Sequence, residues 1–450
     1  MPQISTVKYS DIQKAKRYDA EYFKPEYLEI DKILSKFGDT KKLEDISKII
    51  TNGHTPRYAD LSVGEIKFLT AEHIEDFKIK TQNTKFIKRE PHEKELKRTK
   101  LEMGDLIVTI KGKIGNFAVV GFDTKGEFNI NQDVGRIVLR ENFNPYYVAG
   151  FLNSKFGKLQ SVRVSTGQIN PFLGLGNLKT LKIPFVDIKF QTKIEQAIKE
   201  AHQKQEQSKQ LYKEAEELLL KELDLLDYKP VHNLSFETTA NEVESSKRFD
   251  SEYFQPEYLE VIKKIKSYKG GFDIIKNLFN FNKKNFFPKE NELYSYLPLS
   301  KVSNNGEINN SEEELGQNLP TRARRKVKQG EVILSSISGS LETSAIIGKE
   351  HNNFIVSNGF YVFSSEKINS ETLLLFFKSK PIIGLLQRIS KGAILGGYDL
   401  TAFEKLEIPL IKDDIQKEIS KKIIQSHEAR KESKQLLEKA KKMVEEEIEK

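Results

Sequence analysis

The residues with the clearest chemical use are basic and amide side chains set singly in glycine- and asparagine-rich loops. In the first half they are Thr55, Arg57 and Tyr58, then Lys111, Lys113 and Asn116, then Asn129, Asn131 and Gln132, then Arg163, Gln168 and Asn170. The second half offers Lys283, Lys284 and Asn285, then Arg322, Arg324 and Arg325, then Ser338, Asn358 and Lys391. Guanidinium and ammonium groups suit phosphates and guanine edges, and carboxamides suit adenine. Loops of this kind point to nucleic acid. The run Arg-Ala-Arg-Arg-Lys at 322–326 is the densest patch. Each residue by itself is ordinary solvated surface, so the indication lies in the set.

Catalytic motifs fail one by one. Asn144-Pro145-Tyr146-Tyr147 lacks the second proline of an Asn-Pro-Pro-Tyr methyltransferase loop, and no glycine-rich cofactor turn precedes it. A helix start with Pro145 at its first position is the better reading. Gly-Leu-Gly-Asn-Leu-Lys-Thr (174–180) has neither phosphate-loop spacing nor the third glycine of a dinucleotide fingerprint. The seven histidines include no i,i+4 pair, and His92-Glu93-Lys94-Glu95 lacks the second histidine of a zincin helix. We expect no catalytic residue and no metal site.

The elements that must position the loops occur twice. Residues 16–30 read KRYDAEYFKPEYLEI and residues 247–261 read KRFDSEYFQPEYLEV. Leu181-Lys182-Ile183-Pro184 answers Leu406-Glu407-Ile408-Pro409, and Ser208-Lys209-Gln210-Leu211 recurs as Ser433-Lys434-Gln435-Leu436. Such a long displacement is a duplicated module, not a solenoid repeat. Within each copy, patterning predicts a short helix and loop over 42–60, with Gly53 and Pro56 as punctuation. It further predicts a strand from 65, a strand pair over 105–122 turning at Gly112 and Gly115, and a strand over 131–140. One helix is expected over 145–162 and a closing strand over 178–186. The second copy keeps the frame but loses the Gly-His-Thr-Pro loop.

Beyond residue 188 the composition turns to Lys, Gln and Glu. Ile194, Ile198, Ala201, Gln205, Ser208, Tyr212, Ala215 and Leu219 fall on a heptad seam. Ile419, Ile423, Ser426, Arg430, Ser433, Leu437, Ala440 and Val444 repeat it. Both seams are apolar at the ends and polar in the middle, so antiparallel pairing matches layer to layer. Residues 188–226 as helix span roughly 58 Å, against a DNA turn of about 34–36 Å.

Composition sets the outer bounds. In 450 residues, 38% hydrophobic content with 28 Phe and 16 Tyr supports real cores, and the net charge of +8 is compatible with nucleic acid. The absence of cysteine fits a reducing compartment. No signal core or membrane-length apolar run is present, so a cytoplasmic protein is expected.

The ordered pattern resembles the specificity (S) subunits of type I restriction–modification systems. The resemblance rests on the Arg-Tyr/Phe-Asp-x-Glu-Tyr-Phe-x-Pro openings (17–25, 248–256) and the Gly53-x-Thr55-Pro56 loop. The Gly104-Asp105-Leu106-Ile107-Val108…Lys111-Gly112-x-Ile114-Gly115 strand pair and the Leu-x-Ile-Pro closings complete it. It implies an α+β protein with two tandem mixed α/β target recognition domains joined by two long helices in an antiparallel coiled coil. The domains would be 1–187, a central conserved helix at 188–227, 228–411 with its linker, and a distal conserved helix at 412–450. It implies sequence-specific binding of double-stranded DNA, each recognition domain reading half of a bipartite, asymmetric site. The chain would catalyse nothing alone and hold no cofactor. It would dock two DNA methyltransferase (M) subunits using S-adenosylmethionine, and restriction (R) subunits driven by ATP with Mg. The missing Gly-x-Thr-Pro loop makes residue-level transfer to copy two less direct. A recognition subunit of a related type II system, a coiled-coil adaptor for protein partners and an autonomous methyltransferase remain as alternatives.

Overall fold

Pro25 and Pro256 occupy the first turns of helices Pro25–Phe37 and Pro256–Lys266, where a residue without an N–H costs nothing. In the computed structural model, which describes residues 4–56, 61–303, 305–309, 311–392 and 396–450, the chain forms two compact units. One unit comprises Met1–Gln207 with Ala429–Lys450, and the other is Ser208–Glu428. These boundaries differ from those read in the sequence, because each unit takes in part of both long helices.

In the first unit, a four-stranded antiparallel sheet runs in the order 47–52, 134–139, 106–109, 117–119. A second sheet has the order 85–87, 66–69, 128–130, with 66–69 and 128–130 parallel. The second unit repeats the first sheet as 279–281, 360–365, 332–335, 344–346. Its other sheet, 312–315, 293–297, 355–357, 323–326, gains a strand from the Arg-Ala-Arg-Arg-Lys run. Strands Leu106–Thr109 and Val332–Ser335 are buried along their whole length, as central strands of covered sheets are. The charged pair Arg136–Asp105 (2.7 Å) is buried in the first unit; Arg136 also donates to the Arg98 carbonyl.

Two local expectations need correction. Over 42–60 the expected short helix is there, Leu43–Ile46, but strand Ser47–Asn52 intervenes before the loop at 53–56. Pairing with 134–139 overrides local propensity there. The single helix over 145–162 is two, Pro145–Asn153 and Lys155–Val164, broken at extended Ser154. A Cβ on Gly157 would lie 2.3 Å from the Leu152 Cα, so the two helices meet at a glycine. Asn144 is an N-cap accepting from the Tyr146 and Tyr147 amides (2.9 and 3.3 Å), as the helix-start reading requires.

The long helices are Ile188–Glu222 and Asp413–Glu449. In the first unit Ile194, Ile198 and Ala201 share a core with Leu437, Ala440 and Val444. Gly150 lets helix Pro145–Asn153 close on this pair; its Cβ would stand 3.0 Å from Ile194 and 3.7 Å from Val444. Lys204 pairs with Glu432 at 2.6 Å. In the second unit Ala215 and Leu219 share a core with Ile419 and Ile423, and Tyr212 packs half-buried against it. There Ser208 meets Ser426 (3.0 Å between hydroxyls) and Glu214 meets Lys422 (2.7 Å). Within each unit rising numbers on one helix meet falling numbers on the other, so the pairing is antiparallel. Among the described residues no helix is long and apolar enough to cross a membrane.

Candidate nucleic-acid interface

In the first unit the loop ends of three strands converge. A Cβ on Gly53 would fall 1.8 Å from the Ile130 carbonyl, so only glycine lets the 52–56 loop lie against the end of strand 128–130. Asn52 donates to the Gln132 carbonyl (3.2 Å) and Thr55 Oγ1 to Gln132 Oε1 (2.8 Å). Asn131 is buried and bonds Asp133 (3.0 Å), whose other oxygen lies 3.9 Å from Lys111 Nζ. Lys111 also bridges through its backbone to Phe172, and the Gly112 amide donates to the Pro171 carbonyl (3.2 Å). This joins the lysine loop to a hairpin over 166–172 that turns at Gly167 (φ +84°) and leaves Gln168, Ile169 and Asn170 exposed. Thr55, Gln132, Asn131, Lys111 and Gln168 are thus carried on mutually bonded loops. Lys113 is exposed beside them, with its carbonyl accepting from Thr109 (2.5 Å).

The second unit repeats the construction with other side chains. Ile337 and Lys391 both bridge to Gly397, and the Ser338 amide donates to the Gly396 carbonyl (2.9 Å). Ser336 bonds Gly359, and the neighbouring Asn358 amide bonds the Arg322 carbonyl (2.7 Å). Ser338, Lys391, Asn358 and Arg322 therefore belong to one run of loops. Lys284 and Asn285 line a separate cavity of about 540 Å³ with Lys326 and Lys328. Arg325 donates to Asn285 there, while burial and the neighbouring Arg324 both oppose its charge.

Several residues expected to face nucleic acid are engaged inside the protein. Arg163 donates to the Tyr22 carbonyl (2.9 Å) and to Asp31 (2.5 Å), holding the opening segment to helix Lys155–Val164. Asn116 accepts from Lys158 (2.8 Å) and donates to the Ile74 carbonyl. Asn129 is fully buried, bonded to Thr99, Leu96 and His92. Lys283, by contrast, is exposed, and its 2.7 Å pair with Glu404 is a surface ion pair that leaves it open to solvent. Arg57 and Tyr58 lie outside the described residues.

Sequence reading missed Arg17, Arg248, Arg388 and Lys405, which line cavities beside the two hairpins. The repeated Arg-Tyr/Phe-Asp triplets were the signal for the first two. Two groups bring ligand-type atoms within 4.8 Å: His92, Glu93 and Glu127, and His232, Glu252 and Glu257. In the first, Lys100 and Arg89 neutralise the two glutamates. In the second, Tyr258 donates to Glu252 (2.5 Å). Internal partners thus hold Glu93, Glu127 and Glu252.

Fold and loops together define a mixed α/β protein whose repeated frames carry different polar loop sets. Residues 38–217 match the family described as "Type I restriction modification DNA specificity domain". Among solved structures it is similar to the S subunit of a type I restriction–modification system from M. genitalium. Identity is 12% and the TM-score 0.44, covering 91% of this chain and 95% of that one. The HsdS subunit from Thermoanaerobacter tengcongensis follows at 10% identity and a TM-score of 0.29, covering 91% and 96%. No curated protein matches the chain.

Proposed function

We propose that the chain is the DNA-specificity subunit of a type I restriction–modification complex and carries no catalytic centre or cofactor of its own. Residues 8–187 and 246–411 each read one half of a bipartite, asymmetric site. The long helices pair as an antiparallel coiled coil that sets the spacer and docks two methyltransferase subunits, which supply S-adenosylmethionine; restriction subunits bring ATP and Mg. One observation carries this reading. The two units share sheet order and the loop–hairpin construction, yet Lys111-Gly112-Lys113 stands where Ile337-Ser338-Gly339 stands in the other. Shared frames suit a shared partner, and different loops suit different half-sites. Identical readers related by a two-fold axis would demand a palindrome.

Replacing 246–411 by a second copy of 8–187, with both helices kept, tests it. Expressed with its methyltransferase partner and read by methylome sequencing, the chimera should modify a palindromic site built from the first half-site. Continued modification of the original site would show that the second copy never read it.

A further inference from the structure

The two opening segments fold alike down to single hydrogen bonds. Arg17 gives Asp19 two hydrogen bonds (2.6 and 2.8 Å) and lies 5.0 Å from the Tyr22 ring centre, where Arg163 stands at 4.3 Å. Arg248 bonds Asp250 twice (both 2.6 Å) and lies 4.9 Å from the Tyr253 ring centre, where Arg388 stands at 3.9 Å. Arg163 and Arg388 each donate Nε to the tyrosine carbonyl at 2.9 Å.

They differ in one partner. Arg163 has a carboxylate, Asp31, on helix Pro25–Phe37. On helix Pro256–Lys266 the same position, six residues after the leading proline, is Ile262. Among the described residues no carboxylate lies within ion-pair distance of Arg388. Glu407, whose charge reaches it from farther off, is paired with Lys266 at 3.1 Å. Burial opposes the charge of Arg388, yet a guanidinium does not give up its proton in a protein. A half-buried cation without a close counter-charge is a standing cost that a bound anion removes.

Arg388 borders a cavity of about 400 Å³ whose other cations are Arg248, Lys391 and Lys405. Its one carboxylate, Asp399, caps the Ala402 amide (2.8 Å) and sits 3.5 Å from Lys391. Ser246 and Thr401 add hydroxyls to the wall. The corresponding cavity of the first unit carries two acids, Asp19 and Glu21, beside Arg17, Lys24 and Arg163. Arg17, Lys24 and Arg163 each have a carboxylate partner, whereas in the second cavity Asp250 holds Arg248 and Asp399 faces Lys391, which leaves Arg388 and Lys405 without one among the described residues.

We infer that the Arg388 cavity is a phosphate-binding site peculiar to the second copy, and that the group it takes is a backbone phosphate of DNA flanking the second half-site. Lys391 supports this placement, because it opens the hairpin that meets the Ser338 loop. The identity of the ligand rests on the proposed DNA-binding function, while the anion chemistry rests on the cavity.

The test uses the full-length chain, a mixed-sequence duplex followed by fluorescence anisotropy over a range of salt, and inorganic phosphate followed by ³¹P line width. Ile262→Asp restores the internal carboxylate of the first copy and leaves the guanidinium in place; Lys405→Gln removes a wall charge without touching the core. Each variant should weaken duplex binding several-fold and lower the log–log salt slope by about 1, as expected when one fewer phosphate is neutralised. Both should also lose inorganic phosphate broadening. Duplex binding with unchanged affinity and slope in both variants overturns the inference and leaves the DNA-binding function standing. Loss of inorganic phosphate alone assigns the cavity to a free phosphate and overturns the DNA assignment. A wild-type chain without duplex affinity overturns both readings.

Discussion

Asp105 and Arg136 show how costly charges are held in this protein. Asp105 is 3% and Arg136 6% exposed, and the carboxylate also accepts from the Glu102 amide at 2.7 Å. Burial raises the Asp105 pKa, and it outweighs the lowering effects of Arg136 and the amide. A folded-state pKa above the unfolded one means the native state binds more protons in that window. Stability from this group is then highest below the ordinary carboxylate range and falls as pH rises through the raised pKa. Asp105→Asn should remove that slope from the pH dependence of urea unfolding. Arg136→Leu should cost about 3–5 kcal/mol by leaving the carboxylate buried and unpaired. The double variant Asp105→Leu/Arg136→Leu should cost much less than the sum, and a denaturation cycle measures the difference.

At the scale of elements, the seam serines fix which turns of the two long helices meet. Ser208 and Ser426 are fully buried, joined hydroxyl to hydroxyl, and Ser426 also donates to the Ser208 carbonyl at 2.7 Å. In a chain without cysteine, Ser208→Cys/Ser426→Cys should close a disulfide under mild oxidant, seen as a shift in non-reducing electrophoresis. The loop it closes is long, so loop-closure entropy predicts stabilisation of about 5 kcal/mol where geometry permits. Lys213→Cys/Ser426→Cys is the control, because Lys213 is exposed. Cross-linking of the control with equal efficiency would refute the register.

For the whole molecule, the proposed spacer role makes a metric prediction. Removing one heptad from each long helix at equivalent positions shortens each by about 10.5 Å, at most roughly 3 base pairs at 3.4 Å each. The complex with its methyltransferase partner should then modify a site with a shorter spacer and unchanged half-sites. Methylome sequencing reads both at once. An unaltered spacer, or altered half-sites, would contradict the role.

The sequence by itself determined the duplication, the buried strands 106–109 and 332–335, and the polarity of the helix seams. These rest on local periodicity and on repeats that need no knowledge of tertiary packing. It also marked the loops carrying Thr55, Lys111, Gln132 and Gln168, because glycine and asparagine punctuate loops wherever they fold. What a side chain in or near such a loop touches was beyond it. Arg163 and Gln168 are five residues apart, yet one reaches Tyr22, 141 residues away, and the other is exposed. Strand 47–52 was misread because its pairing partner lies over 80 residues downstream. The repeat itself sets Asp31 against Ile262, but that this position bears on Arg163 and Arg388 was hidden, because the pairing joins residues 132 apart in the chain. Packing between distant segments decides which charges are compensated, and no local pattern encodes that.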